Sequence, residues 1–574
     1  MAKDHSAANL FQQKPTICFY PHVSGCEGDV KVLKSREKTV VTLDIGPFRA
    51  KETVLQDAGG SIYHSEQLSN LTPHRCTFGY DVLVEVGYAL FVHSRTEQQI
   101  VEQLAKQNVS ISPRQIGNLG KKFIAYLAIA HHQSRRRLRQ AMIARGGYIL
   151  HIDGTCEADS PHLFTGIDGI AQMVLDNIKL PSEKAELLIP FLSEIKRQYG
   201  DPIALVHDMG KGILSAVETV FCGVPDFICH FHFLRDIGKD LFEKEYGIIR
   251  NRLKKHKIRT LLRQKLKTLQ KIVEDDPQRV STLAKGIEGG GLDPEMMEKM
   301  PALAAYAMIH WARDTSQLDG CGFPFDCPHF IFYRRLQVLH RMINERLIKN
   351  KVLSRLWGPL TQIVEDQQLV KAAKSMHKKV ETFKKLREAL CIAVPQRNQG
   401  LNDDGLEVDI KSIAEKVKCF RDEVMSDKGY DKLIEQIDKY WDKLFADPIT
   451  VNTSAGQLKI QPQRTNNILE RFFRDLKRKY RKRSGTVSLS KALRFILADT
   501  ALVKNLDNPE YVQILLDGCD TLEERFAKIN SHLVAEQLKA EREKQERIRP
   551  EMKKMIQRPD LPQRLTMLLA GQQY

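Results

Sequence analysis

The spacing of apolar and polar residues changes along the chain, and each change predicts a different kind of structure. Residues 1–92 contain short β-like runs, such as Thr39–Ile45, that Gly and Pro interrupt. From Ser94 onward the apolar residues recur at the spacing of amphipathic helices, which predicts a helical region at 93–145. From Gly146 short apolar runs alternate with amphipathic segments, and this alternation is typical of an α/β unit with a mixed sheet.

Two helices separated by a short break are predicted at the start of the helical region. The first is amphipathic and covers Thr96–Ala105. The second begins at Ser112, an N-cap residue with proline at the first helical position, and a third helix reaches the basic run Arg135–Arg139. The first two resemble a helix-turn-helix, although two ordinary packed helices are the alternative. As a helix-turn-helix, the second helix would present to a DNA major groove Arg114, Gln115, Asn118 and Lys121.

Strands and helices alternate between residues 146 and 235. The first predicted strand ends at Asp153, and the fourth runs into Asp208. Ser182 is the predicted N-cap of the first helix. The predicted strands are 148–152, 162–167, 171–178, 203–206 and 226–229, and the predicted helices are 182–199 and a second one that ends at Val220.

The remainder of the chain is mostly helical in pattern. Residues 236–460 are strongly charged, and residues 461–505 contain a long basic helix at 466–483. Residues 506–574 are predicted to form a charged helical tail that is solvated or faces a partner. Because one hydrophobic core does not grow to the size of a 574-residue chain, we expect about three or four domains.

The charge of the chain suggests a polyanionic partner. Lys plus Arg outnumber Asp plus Glu by 88 to 71, which gives a formal net charge of +17. Nucleic acid is the commonest partner of so basic a protein, and a basic but inert surface is the alternative.

The N-terminal sequence, the lengths of the apolar runs and the distribution of the cysteines predict a soluble, cytoplasmic protein. The N-terminus lacks a signal-peptide pattern, and no apolar run reaches the ~18 residues of a membrane span. The 11 cysteines are scattered and odd in number, which favours a reducing compartment. Zinc binding stays open for a group that lacks the spacing of a zinc ribbon, namely Cys18, His22, Cys26, His74 and Cys76.

Two aspartates follow apolar strands in the α/β unit. Asp153 and Asp208 lie in polar, Gly-containing segments, at the end of the strands where open α/β sheets place functional groups. Carboxylates at the ends of neighbouring strands repel each other unless a cation lies between them. Hard oxygen ligands of this kind suit Mg²⁺ or Mn²⁺.

The basic helix adds a third carboxylate. Glu470 and Lys477 are seven residues apart, about two helical turns, so both project from the same face. From Arg471 to Arg483 there are eight basic residues and one acidic residue, with aromatic residues between them. This composition predicts a surface that follows DNA, and an exposed basic helix with a surface glutamate is the alternative. The residues predicted to contact DNA are Arg474, Lys477, Arg478 and Arg481.

Taken together, these motifs resemble the RNase H-like DDE transposases of bacterial insertion sequences, and among them the Mutator-like group. The resemblance covers about residues 90–500 and includes Asn467-x-x-Glu470 with Lys477 after it, and Cys229-x-x-His232. The aspartates are 208 − 153 = 55 positions apart, and 470 − 208 = 262 positions precede the glutamate. Members of this group hold a helical insertion domain in the second interval. Relatives often carry a zinc module at the N-terminus, and this chain shows no clear one.

The resemblance implies a fold, a reaction and a set of residue roles. The fold would be an RNase H-like mixed sheet with a large helical insertion, preceded by a helix-turn-helix region. Asp153, Asp208 and Glu470 would bind two Mg²⁺ or Mn²⁺ ions for the cleavage and rejoining of DNA strands. Cys229 and His232 would support the active site, and Lys477 would contact DNA.

The same resemblance implies partners and leaves two alternatives. The partner would be double-stranded DNA, both the terminal repeats of the element and the target, bound by a homo-oligomer associated with the nucleoid. A domesticated, non-catalytic DNA-binding protein is one alternative. An RNase H-like nuclease without strand transfer is the other.

Overall fold

A computed structural model gives the protein a mixed α/β fold that is rich in helices. A small N-terminal sheet is followed by a helical region, a central five-stranded sheet and a large helical insertion. The α/β class predicted from the sequence is confirmed. The structure describes residues 14–22, 30–274, 277–289, 301–314, 322–343, 351–392, 394–396, 400–402, 410–453, 455–486, 488–543 and 550–570.

The N-terminal sheet is built around a long hairpin. Strands β2 and β3 pair antiparallel, while β1 pairs parallel with β3 and β4 pairs antiparallel with it. A small apolar core lies beneath the sheet. The predicted β-rich character largely ends at residue 63, because helices cover Glu66–Leu71 and residues 80–92. The elements are β1 (Thr16–Phe19), β2 (Lys31–Thr42), β3 (Gly46–Gln56), β4 (Ile62–Tyr63), α1 (Glu66–Leu71), α2 (Tyr80–Gly87) and a π-helical continuation (Tyr88–Val92).

Two capped helices follow, α3 (Glu97–Ala105) and α4 (Pro113–Ala144). Thr96 and Ser112 are their N-caps, and each closes a capping box with the glutamine three residues later, as their residue types favour. The third helix expected at the basic run Arg135–Arg139 is not separate. Because no glycine or proline interrupts its second half, α4 continues as one helix of 32 residues.

The central sheet has the strand order β7-β6-β5-β8-β9. Strands β7, β6 and β5 are antiparallel neighbours, whereas β8 and β9 run parallel to β5. The predicted hairpin between the second and third strands is present as β6 and β7. The elements are β5 (Ile149–Thr155), β6 (His162–Asp168), β7 (Met173–Leu180), α5 (Ala185–Tyr199), β8 (Ala204–His207), α6 (Lys211–Val220) and β9 (Asp226–Ile228).

Two local predictions in this unit were wrong. Strand β5 continues past Asp153 to Thr155, so Asp153 lies within the strand. Helix α5 begins at Ala185, and Lys184 rather than Ser182 is its N-cap residue, without a side-chain cap. The reason for the later start is tertiary. A Cβ on Gly212 of α6 would lie 1.9 Å from the carbonyl oxygen of Glu183, so α6 packs directly against the backbone before α5.

The insertion begins with α7 (His230–Lys255), which leaves the sheet and enters a separate hydrophobic core. The predicted boundary at residue 235 therefore falls inside a helix. Helices dominate the insertion, as its pattern predicts. They are α8 (Ile258–Glu274), α9 (Pro277–Ile287), α10 (Pro301–Arg313), α11 (Pro328–Met342), α12 (Lys351–Val364), α13 (Gln367–Leu390), α14 (Ile410–Val424), a 3-10 turn (Lys428–Tyr430), α15 (Asp431–Lys439) and α16 (Trp441–Leu444), with strand pairs β10 (Val394–Gln396) and β11 (Gly400–Asn402), and β12 (Ile449–Thr453) and β13 (Gly456–Ile460).

The chain then returns to the central sheet. Asn505 covers the edge strand β7, since its side chain accepts from the Val174 N–H and donates to the Val174 carbonyl. The tail is less solvated than predicted, because Leu522 and Phe526 belong to the core of the sheet. Every described helix is too short or too polar to cross a membrane. The elements are α17 (Asn467–Ser484), α18 (Leu489–Phe495), a 3-10 segment (Ala498–Asp507), α19 (Pro509–Leu516), α20 (Leu522–Ala527), α21 (Ser531–Glu543), α22 (Pro550–Ile556) and α23 (Leu561–Leu569).

Candidate active site

Asp153 and Asp208 lie on neighbouring parallel strands. Strand β5 pairs with β8 so that His151 is opposite Val206, and the same register continued by two residues brings the aspartates opposite each other. Asp153 is only 8% exposed. Its Oδ1 accepts a hydrogen bond from the N–H of Gly154 at 2.7 Å, and Oδ1 of Asp208 accepts from the N–H of Gly210 at 3.2 Å.

The two aspartates share an unfavourable electrostatic environment. Burial raises the pKa of Asp153 well above its usual value, and the negative charges of Asp208 and Glu470 raise it further. Burial also raises the pKa of Asp208. A divalent cation would offset both the repulsion and the cost of burial, and an all-carboxylate donor set is one that Mg²⁺ or Mn²⁺ prefers. The residues present therefore fit the predicted metal.

Glu470 lies in the first turn of α17, whose start is anchored to the strand that carries Asp153. The side-chain amide of Asn466 donates to the carbonyl of Ile152 at 2.9 Å. Its Oδ1 accepts from Nδ1 of His151 at 3.0 Å, so this imidazole carries its proton on Nδ1. These contacts bring Glu470, which is 470 − 208 = 262 positions after Asp208 and 470 − 153 = 317 positions after Asp153, to the two aspartates.

Cys229 and His232 contact the same first turn of α17. The backbone N–H of Asn466 donates to the buried Sγ of Cys229 at 3.1 Å, and burial raises the pKa of that thiol to about 12. Nε2 of His232 lies 3.5 Å from Oε1 of Glu470, and burial lowers the pKa of this imidazole to about 3. The thiol and the neutral imidazole both pack against the first turn of α17, so these two side chains support the helix that carries Glu470.

The residues predicted to contact DNA on α17 form an exposed basic surface. Arg474, Lys477, Arg478 and Arg481 are all exposed, and Arg478 also pairs with Asp475 at 3.2 Å. Two aromatic residues of α17 do not belong to this surface, although the sequence pattern predicted that they would. Phe472 and Phe473 are buried in the core of the sheet, so they anchor the helix and do not present rings to nucleic acid.

The other predicted DNA contacts lie near the start of α4. Arg114, Gln115, Asn118 and Lys121 are exposed, while the residues between them that face inward are buried. Gln115 is also part of the capping box of α4, where its Oε1 accepts from the N–H of Ser112 at 3.0 Å. With Arg75 of the N-terminal region, Gln115, Asn118 and Lys121 line a cleft of about 280 Å³.

A different group of residues has the closest arrangement of metal-ligand atoms in the described part of the chain. The ligand atoms of His132, Asp176 and Asp499 lie within 4.8 Å of one another, and no other described group of three comes so close. Arg135 already pairs with Asp176 at 3.2 Å, which supplies the positive charge a cation would bring. Of the open zinc group, Cys26 lies outside the described residues and Cys76 is buried against Lys122.

Sequence reasoning missed two residues of this site, His151 and Asn466. Asn466 is adjacent to the glutamate motif, and His151 precedes Asp153 by two residues, so alternation along a strand could have placed it on the same face.

The comparisons with known proteins do not supply a function. No protein-family model matches this chain, and no curated protein matches its sequence. The function is therefore argued from the fold and the chemistry of the site.

Proposed function

We propose that this protein is a DDE transposase that binds the ends of its mobile element and carries out metal-dependent strand cleavage and strand transfer. One observation carries the proposal. Three carboxylates from distant parts of the chain, Asp153, Asp208 and Glu470, lie together near the carboxyl ends of the inner strands β5 and β8, where Asn466 holds the glutamate helix against β5. The strand order β7-β6-β5-β8-β9, with one antiparallel and one parallel half, supports an RNase H-like fold.

In this proposal the three carboxylates hold two Mg²⁺ or Mn²⁺ ions. Metal ions bound there would supply Lewis-acid activation of the attacking oxygen and charge stabilisation of the leaving oxygen. The protein's own contribution is position, since phosphoryl transfer needs little covalent chemistry from side chains. Cys229, His232 and Asn466 fix the first turn of α17, so that Glu470 stays beside the aspartates.

Two exposed basic surfaces support double-stranded DNA as the partner. The exposed basic residues of α17 lie on the helix that carries Glu470, so they are suited to bind phosphates close to the scissile bond. The surface at the start of α4 presents Arg, Gln, Asn and Lys side chains, the types that read base edges in a major groove. The proposal includes a homo-oligomer that assembles on terminal repeats and target DNA, in the cytoplasm and on the nucleoid.

The test uses the full chain, duplexes that carry the terminal repeats flanking its gene, and Mg²⁺ or Mn²⁺. We expect Asp153→Asn, Asp208→Asn and Glu470→Gln each to abolish strand cleavage, because each removes a metal ligand. Binding of the terminal repeats in a gel-shift assay should largely remain. Asp447→Asn removes an exposed carboxylate from the connection that follows α16 and should cleave like the wild type.

The products distinguish the proposal from its alternatives. Cleaved ends joined to target DNA are expected of a transposase. Cleavage without joined products would mean an RNase H-like nuclease. Binding without metal-dependent cleavage would mean a DNA-binding protein that has no catalytic function, and full activity in any of the three variants would remove that residue from the site.

A further inference from the structure

One stretch of the insertion carries many basic residues and no acidic ones. Residues 246–273 contain ten Lys and Arg residues and no Asp or Glu. They form the end of α7, the turn at Lys257 and most of α8. Elsewhere in the insertion lysines alternate with carboxylates and pair with them, as Lys384 of α13 does with Glu381. The stretch therefore concentrates positive charge in one part of the insertion.

Most of this charge faces solvent. Eight of the ten side chains are exposed, and none of these eight forms an ion pair within the described part of the chain. On α8 the exposed basic residues recur every four positions, so they lie along one face of the helix. We call the following six exposed residues the basic surface of the insertion: Lys254, Lys255, Lys257, Arg263, Lys267 and Lys271.

The basic surface of the insertion is suited to a nucleic-acid backbone. Like charges four residues apart repel each other and destabilise a helix, so a negatively charged partner would relieve an unfavourable arrangement. The opposite face of α8 is already buried, with Leu262, Leu266 and Leu269 in the core of the insertion. No apolar face of this helix is left to enter a lipid layer, whereas a row of phosphates needs only the exposed charge.

Helix α7 joins this surface to the candidate active site and sets the distance between them. Near the start of α7, Nε2 of His232 lies 3.5 Å from Oε1 of Glu470. Lys255 is the last residue of the same helix, 255 − 232 = 23 positions later, and no proline lies between them. The rise of an α-helix places Lys255 about 35 Å from His232 along the helix axis.

This distance equals one turn of B-DNA. A duplex advances by about 34–36 Å, or about ten base pairs, in each turn. After one full turn the same strand again faces the same side of the duplex. A straight duplex with one phosphate at the three carboxylates can therefore present the backbone of that strand to the end of α7 one turn further along.

We infer that the basic surface of the insertion binds the backbone of the DNA substrate one helical turn from the scissile phosphate. The inference rests on the proposed function and gives the insertion a part in it. Phosphate contacts fix the position of a protein on a duplex and carry no sequence information. The insertion thus holds the duplex in place for the active site, while the start of α4 reads its bases.

The test removes the three lysines at the junction of α7 and α8, in the full chain with the substitutions Lys254→Ala, Lys255→Ala and Lys257→Ala. The matched control removes three exposed lysines of α14, a helix of the same insertion that also carries acidic residues, with the substitutions Lys411→Ala, Lys416→Ala and Lys418→Ala.

Three measurements are made on the wild type and both triple variants. Hydroxyl-radical footprinting on terminal-repeat duplexes, without added divalent metal so that the DNA stays intact, shows which sugars the protein protects. The salt dependence of binding to the same duplexes counts the phosphate contacts. Strand cleavage is then measured with Mg²⁺, and the melting temperature of each variant checks that the fold is intact.

We expect the wild type to protect two regions, one at the scissile phosphate and one about ten base pairs away. The junction variant should lose the distant region and keep the protection at the scissile phosphate. Its salt dependence should fall by about three units, since each lost phosphate contact on a duplex lowers the slope by about 0.9. The α14 variant should match the wild type, and neither variant should melt at a lower temperature.

The two proposals fail in different ways. If the wild type cleaves but has no distant protection, or if the junction variant keeps it, the inference is overturned and the transposase proposal stands. Equal losses in both triple variants would also overturn the inference, because any three lysines would then suffice. A junction variant that loses affinity for phosphatidylserine vesicles and not for DNA would assign the surface to lipid and overturn the inference. Two protected regions one turn apart, on DNA that the wild type does not cleave, would support the surface and overturn the transposase proposal.

Discussion

Asn466 connects three parts of the candidate active site. Its side chain bonds to Ile152 and His151 on β5, and its backbone N–H bonds to Cys229 after β9. The residue is fully buried, so the Ile152 carbonyl and the His151 ring would lose their partners without gaining water if the side chain were removed. The position of Glu470 therefore depends on the amide side chain that directly precedes the Asn467-x-x-Glu470 motif.

We expect Asn466→Ala to loosen the start of α17 and to lower cleavage, because two buried polar groups lose their partners at about 1–3 kcal/mol each. Amide hydrogen exchange over residues 467–470 should accelerate by about tenfold or more, since about 1.4 kcal/mol corresponds to a factor of ten. Asn452→Ala, in the exposed hairpin β12–β13, is the control. Unchanged exchange at 467–470 would show that Asn466 does not anchor the helix.

Lys477 provides a second test at the scale of one residue. It is exposed on α17, two turns after Glu470, where a phosphate held at the site would be within reach of its side chain. We expect Lys477→Ala to reduce cleavage and to lower the salt dependence of DNA binding by about one unit, the value for one lost phosphate contact. The melting temperature should hardly change, because a solvent-facing lysine adds little stability.

The controls for Lys477 separate charge from structure. Lys477→Arg should recover part of the activity, since the positive charge is kept while the geometry differs. Lys416→Ala, an exposed lysine in the insertion, should leave the salt dependence unchanged. A lower melting temperature with an unchanged salt dependence in Lys477→Ala would mean that Lys477 has a structural role.

At the scale of elements, α4 belongs both to the predicted DNA surface and to the core. Its inward face packs on the central sheet and on the C-terminal helices, where the rings of Tyr126 and Phe526 stack with centroids 5.2 Å apart. His131, in the same helix, bonds to Tyr511 and to the carbonyl of Leu175. A fragment that ends near Arg145 would expose this face to water, so the DNA-binding role of α4 has to be tested in the full chain.

We expect the double variant Arg114→Ala and Asn118→Ala to lose preference for terminal repeats over random DNA, because its side chains are those predicted to reach base edges. The loss should be about 1–3 kcal/mol for each base contact removed, measured by competition binding. Arg136→Ala with Gln140→Ala is matched to it, with the same spacing on the same helix and with both residues exposed. The same loss of preference in both double variants, or no loss in either, would show that the start of α4 does not recognise base edges.

At the scale of the whole molecule, the site lowers the stability of the fold that holds it. The pKa of Asp153 is raised in the folded state, so the folded protein binds this proton more tightly than the unfolded chain does. The contribution of Asp153 to the free energy of unfolding is largest at a pH below its pKa in the unfolded chain, which is about 4. This contribution is lost as the pH rises through its higher pKa in the folded protein. A bound divalent cation would remove this cost.

Asp153→Asn should therefore melt at a higher temperature than the wild type at pH 7.5 in the absence of divalent metal, by on the order of 1–3 °C. The difference should shrink at pH 5, where the aspartate is closer to its protonated form. Mn²⁺ should raise the melting temperature of the wild type and leave that of Asp153→Asn nearly unchanged. A variant that melts lower at pH 7.5, or an equal response to Mn²⁺, would show that Asp153 does not bear a destabilising charge.

The sequence by itself determined what depends on neighbouring residues. The amphipathic spacing of Thr96–Ala105, the N-cap residue Ser112 and the apolar runs of β5 and β8 predicted elements that the structure contains. Their signals are local, because a cap acts within three residues and an apolar run records the burial of its own strand. The two aspartates and the glutamate helix were predicted from local signals as well, each from the pattern of its own strand or helix.

Only the tertiary structure decided how these pieces combine. The anchoring of α17 by Asn466 joins residues more than 300 positions apart, and the start of α5 depends on the close packing of α5 and α6. Burial reversed the expected role of Phe472, which alternates with basic residues in sequence and faces the core in the fold. A single sequence records residue types and spacing, whereas these features depend on which distant surfaces exclude water from one another.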